Sequence, residues 1–183
     1  AFFTGNLYLA IFIGGLAAAF YSLIFAFLTS TLLADQTVSG LAINILASGL
    51  TFYLYRVIFT NFTGASLPNI KTFESIPVPE LSKIPLIGPV LFNQTPLTYI
   101  SLIMVFVVYW FLYKTKYGLV LRCIGDNPKA MDMRGININK YQYLAVFFGG
   151  FMAGLGGSFL TTAASGLFMP DISSGRGWIA IAI

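Results

Sequence analysis

"YLAVFFGGFMAGLGGSFL", residues 143–160, carries no charge and no proline, and nearly every position is apolar or small. At 1.5 Å per helical residue such a run reaches about 27 Å, close to the thickness of a bilayer's hydrocarbon core. Its small residues fall in two adjacent ridges, Gly149/Ala153/Gly157 and Gly150/Gly154/Ser158, each with a spacing of four. Small residues four apart lie on one helix face and let two backbones approach closely in lipid, where no hydrophobic force between helices would otherwise hold them. The stretch predicts a membrane span, with Gly149, Gly150, Ala153, Gly154 and Gly157 as helix-packing positions.

The rest of the chain agrees. Residues 1–34, 36–55, 84–113 and 141–170 contain no Asp, Glu, Lys or Arg, and the whole sequence is 57% hydrophobic and only 9% charged. A soluble domain usually carries about 25% charged residues. Four spans are expected, about 7–28, 38–59, 97–113 and 143–160, and a partial one from 178, after the Gly175-Arg176-Gly177 break. The fold class is therefore all-α, a polytopic transmembrane helix bundle forming a single domain over 1–183. The first span holds matching small rows, Gly14/Ala18/Ser22 and Gly15/Ala19. The second holds Asn44, Ser48 and Thr51, whose spacing of four and three puts them on one face. Polar side chains at membrane depth turn toward a water-filled path or a partner helix. Pathway lining and an inter-helix hydrogen bond both fit these three residues.

Between the second and third spans, residues 60–95 form a connector with five of the eight prolines, at 68, 77, 79, 85 and 89. Proline density at that level leaves no long helix. Sidedness follows from Lys and Arg, which short cytoplasmic loops retain. The loop 114–140 holds Lys114, Lys116, Arg122, Lys129, Arg134 and Lys140 against Asp126 and Asp132, whereas the connector balances Lys71 and Lys83 against Glu74 and Glu80. Loop 114–140 is expected in the cytoplasm and the connector outside, an assignment that four alternating spans satisfy. Membrane sidedness also accounts for the net charge of +4 without nucleic acid binding.

Within that loop, Asn127-Pro128 reads as a helix start: a side-chain acceptor at the cap, then a proline whose missing donor costs nothing at the first helical position. Gly135 fits the left-handed position after a last turn. The segment Pro128–Arg134, with Asp126, Asn127, Lys129, Ala130, Met131, Asp132 and Gly135 in or beside it, is expected to be a short rigid helix projecting into the cytoplasm to dock a partner. Several chemistries are excluded within these residues. With no histidine there is no His-ligated haem, no His-containing zinc site and no Ser-His catalysis, and the lone Cys123 allows no internal disulfide. No catalytic residues and no metal site are expected. Nor is there a G-x-x-x-x-G-K-[ST] loop to cradle phosphates.

The block "KYGLVLRCIGDNPKAMDMRGININKYQYLAVFFGGFMAGLGGSF", residues 116–159, resembles the cytoplasmic loop and following span of permeases from ATP-binding-cassette importers, in the branched-chain amino acid/ribose/nucleoside-type family. "DQTVSGLAINIL" (35–46) and "SSGRGWIAIAI" (173–183) are also similar to that family's blocks and point to its simple-sugar and nucleoside branch. The resemblance implies a vitamin-B12-importer-like permease fold and a short cytoplasmic helix, here Asn127–Gly135, that couples to an ATPase. The implied partners are a cytoplasmic ATP-binding subunit, a second permease subunit, an external solute-binding lipoprotein and the lipid of the cell membrane. No cofactor is expected on this chain; ATP and Mg would belong to the ATPase. The implied function is alternating-access import of a nucleoside or simple sugar by a non-enzymatic transport subunit. With no initiator Met and an end inside an apolar run, the sequence reads as an incomplete chain. An ion-coupled secondary transporter is the alternative, but coupling ordinarily uses carboxylates or histidines in the spans, and these spans have none. A channel-like subunit would differ in showing flux without an ATPase.

Overall fold

The computed structural model describes residues 6–60, 76–77, 93–166, 169 and 171–182. The fold is all-α apart from a two-residue antiparallel pair, Ile76–Pro77 (β1) with Asn93–Gln94 (β2), in which Ile76 lies opposite Gln94. Most of the 60–95 connector lies outside the described residues.

Among the described residues, four helices are long and apolar enough to cross a membrane: Leu7–Thr31, Gln36–Ile58, Pro96–Lys114 and Ile138–Ala163. The first is α1 (Leu7–Ala26) continued by a π-helical turn, Phe27–Thr31. The second is α2 (Gln36–Tyr55), which also runs into a π turn, Arg56–Thr60. Asp35 starts α2 by accepting from the backbone N–H groups of Thr37 and Val38 at 2.8 and 3.1 Å, which satisfies two of the donors a helix start leaves open. Next come α3 (Pro96–Lys114), α4 (Lys116–Asp126), α5 (Pro128–Asp132) and α6 (Ile138–Phe159). A π turn, Leu160–Ser165, extends α6, and α7 (Arg176–Ala182) follows a turn at 171–175.

The helices add detail to the sequence expectations in three places. The helix of the fourth span starts ahead of 143, at Ile138, where Asn137 caps it: its Oδ1 accepts from the Lys140 N–H at 3.2 Å. The loop 114–140 is mostly helical, with α4 ahead of the expected short helix. That short helix itself closes at Asp132 rather than Arg134.

The chain divides into two compact units. One comprises residues 1–72 and 142–183, the other 73–141. In the first unit, α1 touches both α2 and α6. Tyr21 donates to the Ile43 carbonyl of α2 at 2.8 Å. Ser22 donates to the Val146 carbonyl of α6 at 3.1 Å, and Thr31 and Tyr143 share a 2.6 Å hydrogen bond. Phe12 meets Phe151, and Phe20 meets Phe147, edge to face at 5.9 and 6.0 Å, the geometry the ring quadrupoles favour.

Other hydroxyls in these spans bond back to their own helices, Thr29 to Phe25, Thr51 to Ala47 and Thr162 to Ser158, at 2.7–2.8 Å. Such bonds let a polar residue sit at membrane depth without an orphaned donor. Among the described residues no large side chain is fully buried, and α3 has no buried residue at all. Phe106 and Trp110 are 68% and 61% exposed. Apolar surface on that scale is covered by lipid or by neighbouring helices.

Candidate functional site

The two glycine ridges of α6 have different fates. A Cβ built on Gly154 would lie 2.6 Å from the Ala18 Cβ and 2.9 Å from the Gly14 carbonyl and the Gly15 Cα. One on Gly150 would run into the Ser22 side chain, and one on Gly14 would come within 2.7 Å of Ser158 Oγ. The ridge Gly150/Gly154/Ser158 therefore interlocks with Gly14/Ala18/Ser22 of α1 at backbone contact. Carbons at rest stand about 3.5–4.0 Å apart, so only glycine fits. The other ridge is open. Among the described residues nothing lies within 4 Å of a Cβ on Gly149 or Gly157, and Ala153 is exposed. Both rows looked alike in the sequence; the structure uses one.

On α2, Thr51 is half-buried, but Asn44 and Ser48 are exposed. The side turned toward other helices carries buried Ser39 with half-buried Ile43 and Ala47. Asn44 and Ser48 therefore face whatever occupies the space beside this unit.

The second unit builds the polar site. α3 ends at Lys114, and Thr115 takes an extended conformation (φ −106°, ψ 153°) that breaks the helix and sets α4 off in a new direction. The Thr115 hydroxyl accepts from the Gly118 N–H at 3.2 Å and donates to the Phe111 carbonyl, joining the end of one helix to the start of the next. Gly118 is buried against that end: a Cβ there would collide with the carbonyl oxygens of Phe111 and Leu112. The Arg122 guanidinium then lies over the Tyr113 ring, 4.5 Å from its centroid, and Tyr113 stacks on Tyr109 at 4.8 Å. The sequence reading passed over Gly118 and this cation–ring pair. The signal was there, in a threonine three residues before a glycine and just after a helix rich in tyrosine.

At Asn127 the chain bends out (φ −149°, ψ 90°) and α5 begins. Its Oδ1 accepts from the Ala130 N–H at 3.1 Å, and Pro128 occupies the first turn. The close is a two-bond αL cap. The Gly135 N–H donates to the Asp132 carbonyl at 2.8 Å and the Ile136 N–H to the Met131 carbonyl at 3.2 Å, with Gly135 at φ +75°. This pairing satisfies the last carbonyls while reversing the chain, and the left-handed angle favours glycine. The last turn tightens as it closes, so 133–135 form a turn rather than a further length of helix. Met131 is buried and Ile136 half-buried, at the two positions where this cap makes its apolar contact. Asp126, Lys129, Asp132 and Arg134 stay exposed, Ala130 is half-exposed, and Met133 is 84% exposed. The result is a five-residue helix fixed at both ends; together with its flanks, from Asp126 to Arg134, it presents two cations, two carboxylates and a bare thioether.

Comparisons with known proteins address what such an arrangement belongs to. Residues 1–183 match the family described as branched-chain amino acid transport system / permease component. A guanosine ABC transporter permease protein of Bacillus subtilis is 37% identical over 167 residues, covering 91% of this chain and 52% of the relative. A nucleoside ABC transporter permease protein of Lactococcus lactis is 37% identical over 179 residues, covering 96% of this chain and 55% of the relative. A putative glucose ABC transporter permease protein of Haloferax volcanii is 33% identical over 184 residues, covering 98% and 54%. The chain spans about half the length of these curated relatives. No solved structure matches.

Proposed function

The chain belongs to the branched-chain amino acid transport system permease family, and from that premise we propose that it is part of the membrane-spanning permease subunit of an ATP-driven importer. It is a multi-pass protein of the plasma membrane, with four helices of membrane length. The solute in this proposal is a nucleoside first and a simple sugar second, in keeping with relatives named for guanosine, nucleoside and glucose transport.

The observation that carries the reading is α5. A connecting loop needs neither the Asn127 cap nor the Gly135 reversal, whereas a lever needs both, because an uncapped helix this short frays. In the proposed cycle, an external binding protein delivers solute between two permease subunits. An ATP-binding subunit holding ATP and Mg closes and pushes on Asp126–Gly135. The push reaches α6 through the turn at 133–135 and then Ile136 and Asn137, the short link between the two helices. The α1–α6 pair then moves as one body, because helices locked at Gly154 and Gly150 cannot slide without collision. Asn44, Ser48 and Thr51 are proposed to line the path of the solute.

The test is retention of the ATP-binding subunit on the purified permease, measured beside uptake. Gly135→Val forces a β-branched residue into the left-handed region. It should reach the membrane at normal level, yet retain little ATPase and transport little solute. Normal ATPase retention together with normal uptake would remove α5 from the coupling role.

A further inference from the structure

The corner between α3 and α4 brings together cations that the coupling role does not use. Lys114 ends α3, Lys116 opens α4, and Arg122 returns to the same place because its guanidinium rests on Tyr113. All three are exposed, and no acidic residue occurs from 114 to 125. Among the described residues none of them forms an ion pair. A guanidinium lying over a ring keeps its N–H groups in the plane and free to donate outward. Lys116, Leu119 and Arg122 are three apart, so one stripe of α4 alternates cation, apolar and cation, and Leu119 and the neighbouring Tyr117 are 54% and 65% exposed.

We propose that this corner is a binding site for an anionic phospholipid headgroup, with Lys114, Lys116 and Arg122 on the phosphate and Leu119, in the same stripe, against the acyl boundary. Position selects the occupant. Lys114 is the last residue of a membrane-length helix, so the cluster stands at headgroup depth. The basic loop lies on the cytoplasmic side, whose leaflet is anionic. An amphipathic helix that follows a span and carries cations beside exposed apolar residues lies in the interface plane. A soluble acidic protein would fit the cations but would leave Leu119, between Lys116 and Arg122, facing polar surface. The proposal needs α3 to span the membrane with the basic loop on the cytoplasmic side, and it is independent of the transport reading.

Native mass spectrometry of the purified protein, titrated with phosphatidylglycerol or phosphatidylcholine of matched chains, tests it. Wild type should retain phosphatidylglycerol preferentially. Each cation removed should weaken that retention about fivefold, so Lys114→Gln/Lys116→Gln/Arg122→Gln should abolish the preference. Arg56→Gln/Lys140→Gln/Arg176→Gln removes the same charge elsewhere and should keep it. If the triple variant does not accumulate, Arg122→Gln alone should show the single-cation loss and Arg122→Lys most of the wild-type retention. Equal retention of the two lipids by wild type, or equal loss in both triple variants, would overturn the site.

Discussion

Replacing Gly154 by alanine puts one methyl where the structure leaves no room for it. The new Cβ would stand 2.6 Å from the Ala18 Cβ, about 1 Å inside the separation at which two carbons rest. Its other neighbours, the Gly14 carbonyl and the Gly15 Cα at 2.9 Å, are backbone atoms, so no rotamer change relieves the overlap. α1 and α6 must part by about an ångström, which stretches the 3.1 Å bond from Ser22 to the Val146 carbonyl. Overpacking of this kind costs about 1–3 kcal/mol, and a hydrogen bond between membrane helices adds only about 0.6 kcal/mol, so sterics dominate. Gly157→Ala is the matched control, because its Cβ meets nothing within 4 Å. The gain in helix propensity from Gly to Ala is common to both variants and cancels in their difference. Reversible unfolding in mixed micelles, followed by circular dichroism, should therefore place Gly154→Ala about 1–3 kcal/mol below Gly157→Ala. Equal stabilities would mean that α1 and α6 do not interlock through this ridge, and the rigid-body step of the mechanism would fall with it.

Three further outcomes follow from the geometry. Gly118→Ala drives a methyl into the carbonyls of Phe111 and Leu112 and should lower the melting temperature more than Gly125→Ala, which meets open space; equal melting temperatures would contradict the tight α3–α4 corner. Asn127→Ala removes the acceptor for the Ala130 N–H, a loss of about 1 kcal/mol of local helix stability; uptake should drop several-fold while the amount of protein in the membrane is unchanged, and full uptake would show that the start of α5 does not matter. Asn44→Leu keeps the branched shape but removes the polar tip from an exposed position on α2, and should change the rate or selectivity of solute uptake; identical kinetics would take Asn44 off the pathway.

Much of this was legible in the sequence. Charge-free runs mark the four membrane-length helices because burying a charge in hydrocarbon is costly wherever the span sits, so that signal needs no tertiary context. The caps of α5 were legible too, since Asn before Pro and Gly after the last turn act through local backbone geometry. What escaped depends on which surfaces meet. The rows through Gly149 and Gly150 are equally small, and only the position of α1 makes Gly154 a contact and leaves Gly157 open. α4 was missed because an apolar segment with scattered cations, sitting between a span and a proline, has no charge-free run to announce it. Its start, Thr115 to Gly118, becomes decisive only once α3 lies beside it. The π turns after α1, α2 and α6 are shifts of hydrogen-bond register, and no residue type specifies those by itself.

The central claim, that this permease works by ATP-driven import, is tested most directly by flux. Proteoliposomes holding the complete permease, its ATP-binding subunit and the external binding protein are given labelled guanosine and either ATP with Mg or ADP with Mg. Accumulation above the external concentration with ATP, absent with ADP and absent when the ATP-binding subunit is omitted, is the predicted result. Guanosine equilibrating at the same rate in all three conditions would identify a passive channel and contradict the account.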